Sequence, residues 1–440
     1  MNLARCAAAV LTVALLPITL LGAAPAILPP STDTIAGTTV LQQLDSAASL
    51  AGVTLVVRAG LDRQTMKQNG VAALVAETIM KTPVGMPAMP LEDAVAARGG
   101  SVRFTVDPGD VRFYAEALAA DAPAVLELLR AAIAAPDFSP ATVRMARAAL
   151  TQAIAASQQV ALQVGLDMLN AASSVQANAG LPELGTPASL ADLFPADASA
   201  FYRAYYRRGG VLVSAAGQLD GLSAAALSGL AGALPLGTTT PVIVHVAALR
   251  GTTREIVAHR DISSPWLIAQ YPAPKVDSRD FGAMLVLAAF LRRTISDIAQ
   301  VPGVVSPTFA SRSVGAVYVY DRVPSSLVIY VNGGLIGNPS RTFATALSVV
   351  NVLAATTLQG SIDEFKAAAA GDFADNATTL ETRTWLAAVF SRESTSPDFI
   401  NRALAAISAT TPADVQRVAR TYLGNPTIAL VLPRGTNLQD

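Results

Sequence analysis

The chain has 440 residues, of which 52% are hydrophobic and 14% charged, and its 31 basic and 32 acidic side chains give a net charge of -1. This balance excludes the simplest mode of nucleic-acid binding, which depends on an excess of Lys and Arg. At 5% aromatic residues, few rings are available for stacking on bases. The apolar fraction excludes a disordered chain, and the length allows two domain-sized cores. We therefore expect a folded protein that has no nucleic-acid partner.

The first 26 residues have the pattern of a secretory signal peptide. Arg5 precedes an apolar run, and the run ends at the sequence Ala-Pro-Ala, residues 24–26, which resembles a cleavage site. We expect an exported, periplasmic protein. The alternative is an inner-membrane protein anchored by an uncleaved N-terminal segment. Cys6 is the one cysteine and lies within the signal. The mature chain would therefore contain no disulfide and no thiolate ligand.

Internal repeats give the clearest organisational signal. The phrases LVVRAG (55–60) and GVAALVA (70–76) recur as LIAQYP (267–272) and GAMLVLA (282–288), at an offset of 212 residues in both cases. Two further pairs of predicted helix starts, Ser139 with Ser361 and Pro195 with Pro412, are separated by similar offsets. These matches predict tandem duplication of a unit of roughly 200 residues. We expect two homologous lobes, at residues 27–240 and 241–440.

Each unit combines strands and helices. Apolar residues alternate with polar ones over residues 102–106 and 111–115, and the turn sequence Asp-Pro-Gly-Asp lies between them, which predicts a hairpin. Ser139 before Pro140 and Thr411 before Pro412 are typical helix starts. We therefore predict an α+β fold, in which each lobe is an antiparallel sheet with helices packed on one face.

The order of elements and the local phrases resemble the pitrilysin and insulinase type of metallopeptidase, which includes the mitochondrial processing peptidases and their bacterial relatives. The first helix of such proteins carries an inverted zinc motif, H-x-x-E-H. The matching phrase is GVAALVAETIMKTP, residues 70–83. By this resemblance Ala73 stands at the first His, Ala76 at the general-base Glu and Glu77 at the second His. The third ligand, a Glu on a later helix, corresponds to Gln152 or a neighbouring position.

The residue types themselves argue against a zinc site. Val71, Leu74 and Val75 belong to a stripe at helical spacing, so Ala73, Ala76 and Glu77 share another face of the helix. Alanine has no lone pair to donate, and zinc needs about four ligands from nitrogen, sulfur or carboxylate oxygen. We expect no zinc and no other cofactor. We expect Glu77 to form an exposed ion pair with Lys81, four residues later.

Active relatives also use an Arg and a Tyr from the second lobe to hold the substrate carbonyl, in a phrase like RExxGGVYSP. The counterpart is ISDIAQVPGVVSP, residues 295–307, which places Ser296 or Asp297 at the Arg and Val305 at the Tyr. A second alignment uses Arg312 and Tyr318, but its spacing is one residue short. On the first alignment, the donors that would stabilise an oxyanion are absent.

The two histidines, His245 and His259, are 14 residues apart. They could meet across a hairpin and bind a metal, but ordinary structural or surface positions are the favoured interpretation. The sequence contains no G-x-S-x-G, no S-x-x-K and no Walker motif.

Three functional hypotheses follow. The first is a non-catalytic, exported peptidase homologue, the zinc-free subunit of a heterodimer with a zinc-bearing paralogue, which shapes a chamber or holds peptide. The second is a stand-alone module that binds a peptide or unfolded polypeptide as an added strand without cleaving it. The third is a zinc metallopeptidase with an unrecognised site.

Overall fold

The computed structural model describes residues 28–175, 178–237, 254–299, 314–332, 362–394 and 396–435, with side chains in the first long helix of the second half described as far as residue 294. These residues form two large sheets, one in each half of the chain. The predicted signal peptide lies outside the described residues. No helix in the described ranges is long and apolar enough to cross a membrane.

The sheet of the first lobe has six strands, in the order β1-β2-β8-β3-β7-β6. All neighbours are antiparallel except β2 and β8, which run parallel. The predicted hairpin is present as β6 and β7, in which Val106 pairs with Val111. The strands of this lobe, including a short separate hairpin of β4 and β5, are β1 (Ser31–Ile35), β2 (Thr38–Leu44), β3 (Leu50–Val57), β4 (Pro83–Val84), β5 (Met89–Pro90), β6 (Ser101–Val106), β7 (Val111–Leu118) and β8 (Val211–Gly217).

The sheet of the second lobe has the same arrangement. Its strands are β9 (Arg254–Arg260), β10 (Trp266–Pro272), β11 (Val314–Val319), β12 (Ser326–Asn332) and β13 (Thr427–Pro433). Their order is β9-β13-β10-β12-β11, and only β9 and β13 are parallel. This order repeats β2-β8-β3-β7-β6 strand for strand, so the duplication seen in the sequence is also a duplication of topology.

Helices of each lobe cover one face of the lobe's own sheet, as predicted, with α5 (Ala161–Ser173) and α11 (Leu380–Glu393), described below, as the exceptions. The first lobe contains α1 (Val71–Lys81), α2 (Leu91–Ala96), α3 (Ala122–Ala134), α4 (Pro140–Ser157), α5 (Ala161–Ser173), α6 (Pro187–Ala191), α7 (Pro195–Tyr205) and α8 (Ala224–Gly232). The second contains α9 (Phe281–Ala299), α10 (Ile362–Asn376), α11 (Leu380–Glu393), α12 (Phe399–Ala409) and α13 (Pro412–Tyr422). The predicted starts of α4 and α13 are capped, since Ser139 and Thr411 accept hydrogen bonds from backbone N–H groups of the first turn.

The second face of each sheet is covered by one helix from the other lobe. Helix α5 packs on β10 and β13, where Leu169 contacts Ile268 and Ala429. Helix α11 packs on β2, β3 and β8 in the same way. The Oγ1 atoms of Thr54 on β3 and Thr384 on α11 are 2.6 Å apart. Because each lobe buries a helix of its partner, the two lobes share one continuous packed interior.

Candidate functional site

Helix α1 is the centre of the candidate site, and its two faces are both buried. Gly70 begins the helix with a positive φ of 91°, and its Cα packs against Gly185. Every residue from 71 to 80 is buried, and the side chains of Ala73 and Ala76 are 0% exposed within the main core of the first lobe. The sequence predicted a separate face around these alanines. The structure shows that this face is enclosed by apolar side chains.

Glu77 is the polar group of this face, and its partner is the predicted one. Its Oε1 atom lies 3.2 Å from Nζ of Lys81, which also bonds Glu92 of α2. The prediction that this pair is exposed was wrong, because the two side chains are 12% and 14% exposed. Burial raises the pKa of Glu77, and the positive charge of Lys81 opposes this effect. An enclosed ion pair satisfies the carboxylate.

Gln152 lies on α4, the helix that packs against α1, but its side chain is exposed to solvent. The residues of α4 that line the cleft beside Glu77 are Ala149, Leu150, Ala153 and Ile154, with neighbours at the end of the helix. Thr151 also lines the cleft, whereas Gln152 does not, and its assignment remains a sequence prediction.

The donors at this place do not fit zinc. Two alanines, one carboxylate in an ion pair and an exposed glutamine replace the set of nitrogen and oxygen ligands that zinc requires. Within the described ranges, no three His, Cys, Asp or Glu side chains are grouped as a metal site.

A cleft of about 840 Å³ opens beside Glu77. Its walls are formed by residues 104–106 of β6, the last turns of α4, one face of α5 and the segment 182–187, and Arg260 of the second lobe also lines it. Most of the lining surface is apolar. Strand β6 is the last strand of its sheet, so its outer edge has no strand partner among the described residues. Such an edge can pair with an added extended segment.

Three carboxylates line the cleft, and they differ in their partners. Glu77 pairs with Lys81, and Glu183 pairs with Arg322 of the second lobe. Asp167 on α5 accepts a 2.8 Å hydrogen bond from Gln163 and has no cation within ion-pair distance among the described residues. Burial raises the pKa of Asp167, and the nearby Glu183 adds to this effect. Sequence analysis missed Asp167; the spacing of Gln163 and Asp167, one turn apart on an amphipathic helix, was its only sequence signal.

The second-lobe positions are only partly described. Ser296 belongs to α9, whose side chains are not described at that point, and Asp297 is in the same situation. Val305 and Arg312 lie outside the described residues. Tyr318 is on β11, is buried, and donates its hydroxyl proton to the carbonyl oxygen of Pro274. This tyrosine has a structural role in the core.

The histidines do not form a described metal site. His259 is exposed on β9, the edge strand of the second sheet, and His245 lies outside the described residues. The proposed meeting of the two across a hairpin therefore remains a sequence hypothesis.

Several solved structures have this fold over nearly their whole length. A protease from Helicobacter pylori is 14% identical, with 92% of this chain and 100% of that chain covered and a TM-score of 0.79. The inactive domain of a peptidase M16 from Pseudomonas fluorescens is 16% identical, with 94% and 99% covered and a TM-score of 0.76. A putative M16-like peptidase from Alicyclobacillus acidocaldarius is 15% identical, with 92% and 99% covered and a TM-score of 0.71. At these identities the likeness establishes the fold.

The two-lobed fold and the cleft beside α1 define a peptidase-like protein. Residues 39–186, which include α1, α4 and most of the cleft, match the family model of insulinase, peptidase family M16. This match bears out, over residues 39–186, the resemblance to the insulinase type of peptidase that the sequence predicted. No curated protein sequence matches the chain.

Proposed function

We propose that the protein is a non-catalytic member of the insulinase family, an exported subunit that pairs with a zinc-bearing paralogue and holds peptide at its cleft. This proposal rests on three residues of α1, Ala73, Ala76 and Glu77. The positions of the first zinc ligand and of the general base are alanines sealed in the core, and the position of the second ligand is a glutamate that is paired with Lys81. Among the residues of α1 that the structure describes, the two alanines offer no ligand atom and the one carboxylate is engaged by Lys81.

The peptide-holding part of the proposal is supported by features that catalysis does not need. The cleft persists beside α1, β6 offers its outer edge to an extended segment, and the apolar lining suits apolar side chains. Asp167 provides one negative charge in this lining. An extended segment with aliphatic side chains and one basic residue fits these features best.

The pairing part of the proposal is supported by the fold of the relatives. The chain resembles in fold both a protein described as a protease and one described as an inactive domain. A scaffold that keeps the cleft of a peptidase without its ligands serves catalysis only when a second chain supplies the metal. The predicted signal peptide would direct this chain to the periplasm, and the proposed partner would have to be exported as well.

The test is an affinity pull-down of the tagged, full-length chain from the periplasmic fraction of its natural host, followed by metal analysis of the recovered proteins. We expect a stoichiometric family member that carries zinc, while the tagged chain itself carries none. Recovery of the chain alone, with saturable peptide binding, would replace this proposal by the stand-alone binding module. Chelator-sensitive cleavage of unfolded peptides by the isolated chain would refute both and support a metallopeptidase with an unrecognised site.

A further inference from the structure

A second cavity lies next to the cleft, at the junction of the two lobes, and we call it the rear cavity. Its volume is about 180 Å³, and it lies between α5, residues 179–183, the turn at residues 322–324 and strands β10 and β12 of the second sheet. Gln163 of α5 and Glu183 line both the rear cavity and the cleft. The two spaces therefore adjoin at these two side chains.

The charged groups that line the rear cavity are paired with each other. Among the described lining residues they are Arg322 of the second lobe and Glu183, which form an ion pair. The other polar residues of the lining are neutral: Gln163, Asn170, Ser174, Gln270 and Ser326. A charged group that entered the cavity would lose its water without gaining a counterion of its own. The rear cavity therefore suits a neutral ligand.

The hydrogen bonds of two amide side chains determine what they can offer a ligand. Nε2 of Gln163 donates a 2.8 Å hydrogen bond to Oδ1 of Asp167, and an ionised carboxylate can only accept. The carbonyl oxygen of Gln163 is therefore the part that remains for another partner. Oδ1 of Asn170 accepts a 3.2 Å hydrogen bond from Nε2 of Gln270, which leaves the NH2 group of Asn170 as a donor. The hydroxyl group of Ser326 can donate or accept.

A primary carboxamide complements this set of groups, because it carries an acceptor and a donor in one neutral group. An aliphatic side chain would leave the polar groups of the walls with neither water nor a partner, which costs free energy. The size agrees as well. A cavity of about 150 Å³ is large enough for benzene, so the rear cavity, at about 180 Å³, has room for the side chain of a glutamine.

We propose that the rear cavity is a specificity subsite of the cleft and receives the side chain of a glutamine in the held peptide. This inference rests on the peptide-holding part of the proposed function and adds a chemical preference to it. The side chain enters between Gln163 and Glu183. Its NH2 group donates to Oε1 of Gln163, and its oxygen accepts from Nδ2 of Asn170. Asp167, one turn along α5 from Gln163, takes the basic residue of the same peptide.

The probes are end-blocked peptides of aliphatic residues with one lysine, in which one further position is varied. Residues two apart in an extended segment lie on the same face. Glutamine is therefore placed two residues before the lysine in one peptide and two residues after it in another. Matched peptides carry norleucine, glutamate or a second lysine at the varied position. Fluorescence anisotropy with labelled peptides and the full-length chain measures each affinity.

At one of the two positions, glutamine should raise the affinity at least about fivefold over norleucine, which is the effect of about one net hydrogen bond. Glutamate and lysine should bind more weakly than glutamine at that position, because their charges have no counterion in the cavity. Tighter binding of either charged peptide would refute the choice of a neutral ligand. Equal affinities of the glutamine and norleucine peptides at both positions would refute the subsite and leave the peptide-holding cleft standing. Failure of every peptide to bind would refute both.

Two variants locate the preference in the rear cavity. Ser326→Val places methyl groups in the cavity and removes a hydroxyl group, so it should reduce the preference for glutamine over norleucine to less than about twofold. Ser31→Val makes the same exchange at an exposed position of β1 and should leave the preference unchanged. If Ser326→Val does not fold, Asn170→Asp replaces it. This change keeps the acceptor for Gln270, removes the donors, and should also abolish the preference. A full preference in the variant that folds would place the glutamine elsewhere and refute the subsite.

Discussion

The Oε1 atom of Glu77 lies 3.2 Å from Nζ of Lys81, one turn along α1, and the two side chains are almost enclosed. By the sequence resemblance, α1 corresponds to the helix that carries the zinc motif in the insulinase type of peptidase. By that resemblance, Glu77, which is paired with Lys81, corresponds to a zinc ligand. The alanines at 73 and 76 have become part of the packed core.

The first prediction concerns a histidine placed at position 73, which corresponds by resemblance to the first zinc ligand. Ala73→His should lower the free energy of unfolding by ~2–4 kcal/mol, because the imidazole would have to enter a fully packed region without a hydrogen-bond partner. Ala148→His, at an exposed position of α4, is the control and should cost less than about 1 kcal/mol. Urea unfolding of the variants measures the difference. Equal stabilities would show that the core around α1 has room for a ligand.

The second prediction concerns the exchange of helices between lobes. A Cβ atom at Gly165 of α5 would lie 2.1 Å from Cδ1 of Ile268 on β10, which is completely buried. Gly165→Ala should therefore destabilise the protein by ~1–3 kcal/mol, even though alanine favours a helix by about 1 kcal/mol.

Gly371 of α10 offers a matched control, because a Cβ atom there would meet nothing within 4 Å. Gly371→Ala should stabilise the protein by up to about 1 kcal/mol. Thermal or urea unfolding distinguishes the two substitutions by sign. A stabilising Gly165→Ala would mean that α5 does not pack on the sheet of the second lobe as described.

The third prediction concerns Asp62, whose pKa burial raises to about 6. Its folded pKa lies above the unfolded value of about 3.9, so the folded state binds the proton more tightly. Protonation of Asp62 therefore stabilises the folded state fully below about pH 4, and this stabilisation is lost as the pH rises through about 6. Asp62→Asn removes this dependence, since the amide does not titrate.

Relative to the natural chain, Asp62→Asn should therefore gain ~1–3 kcal/mol of stability between about pH 4 and pH 7. Urea unfolding of both proteins at several pH values gives this difference directly. A constant difference over the whole range would show that Asp62 has an ordinary pKa.

The fourth prediction concerns the cleft. Asp167→Asn should weaken the binding of an extended, end-blocked peptide that has one lysine among aliphatic residues by about five- to thirtyfold, or ~1–2 kcal/mol. The reason is the loss of a partly buried negative charge that has no cation partner among the described residues. Fluorescence anisotropy with a labelled peptide measures the affinity.

Asp220→Asn, at an exposed position after β8, removes the same charge away from the cleft and should have no effect. A peptide with norleucine in place of lysine should bind the natural chain and Asp167→Asn alike. Equal loss of affinity for both peptides would assign Asp167 a structural role only.

Some features of the candidate site could be predicted from the sequence and others could not. The absence of ligand atoms at Ala73 and Ala76 follows from residue type alone, and the pairing of Glu77 with Lys81 follows from their spacing on one helix. The enclosure of this pair was predicted wrongly, because a contact between neighbouring turns does not reveal what packs on top of them. Asp167 was missed because its position in the cleft depends on how α5 crosses to the second lobe.

The sequence by itself determined the fold class, the duplication and the hairpin of β6 and β7, because periodicity, turn residues and helix caps act over a few neighbouring residues. The tertiary structure decided which sheet each helix covers and which carboxylate of the cleft, Asp167, has no cation within ion-pair distance among the described residues. These relationships join residues that are far apart in the chain, such as Thr54 and Thr384. They arise from the packing of whole sheets and helices against each other, to which no local pattern corresponds.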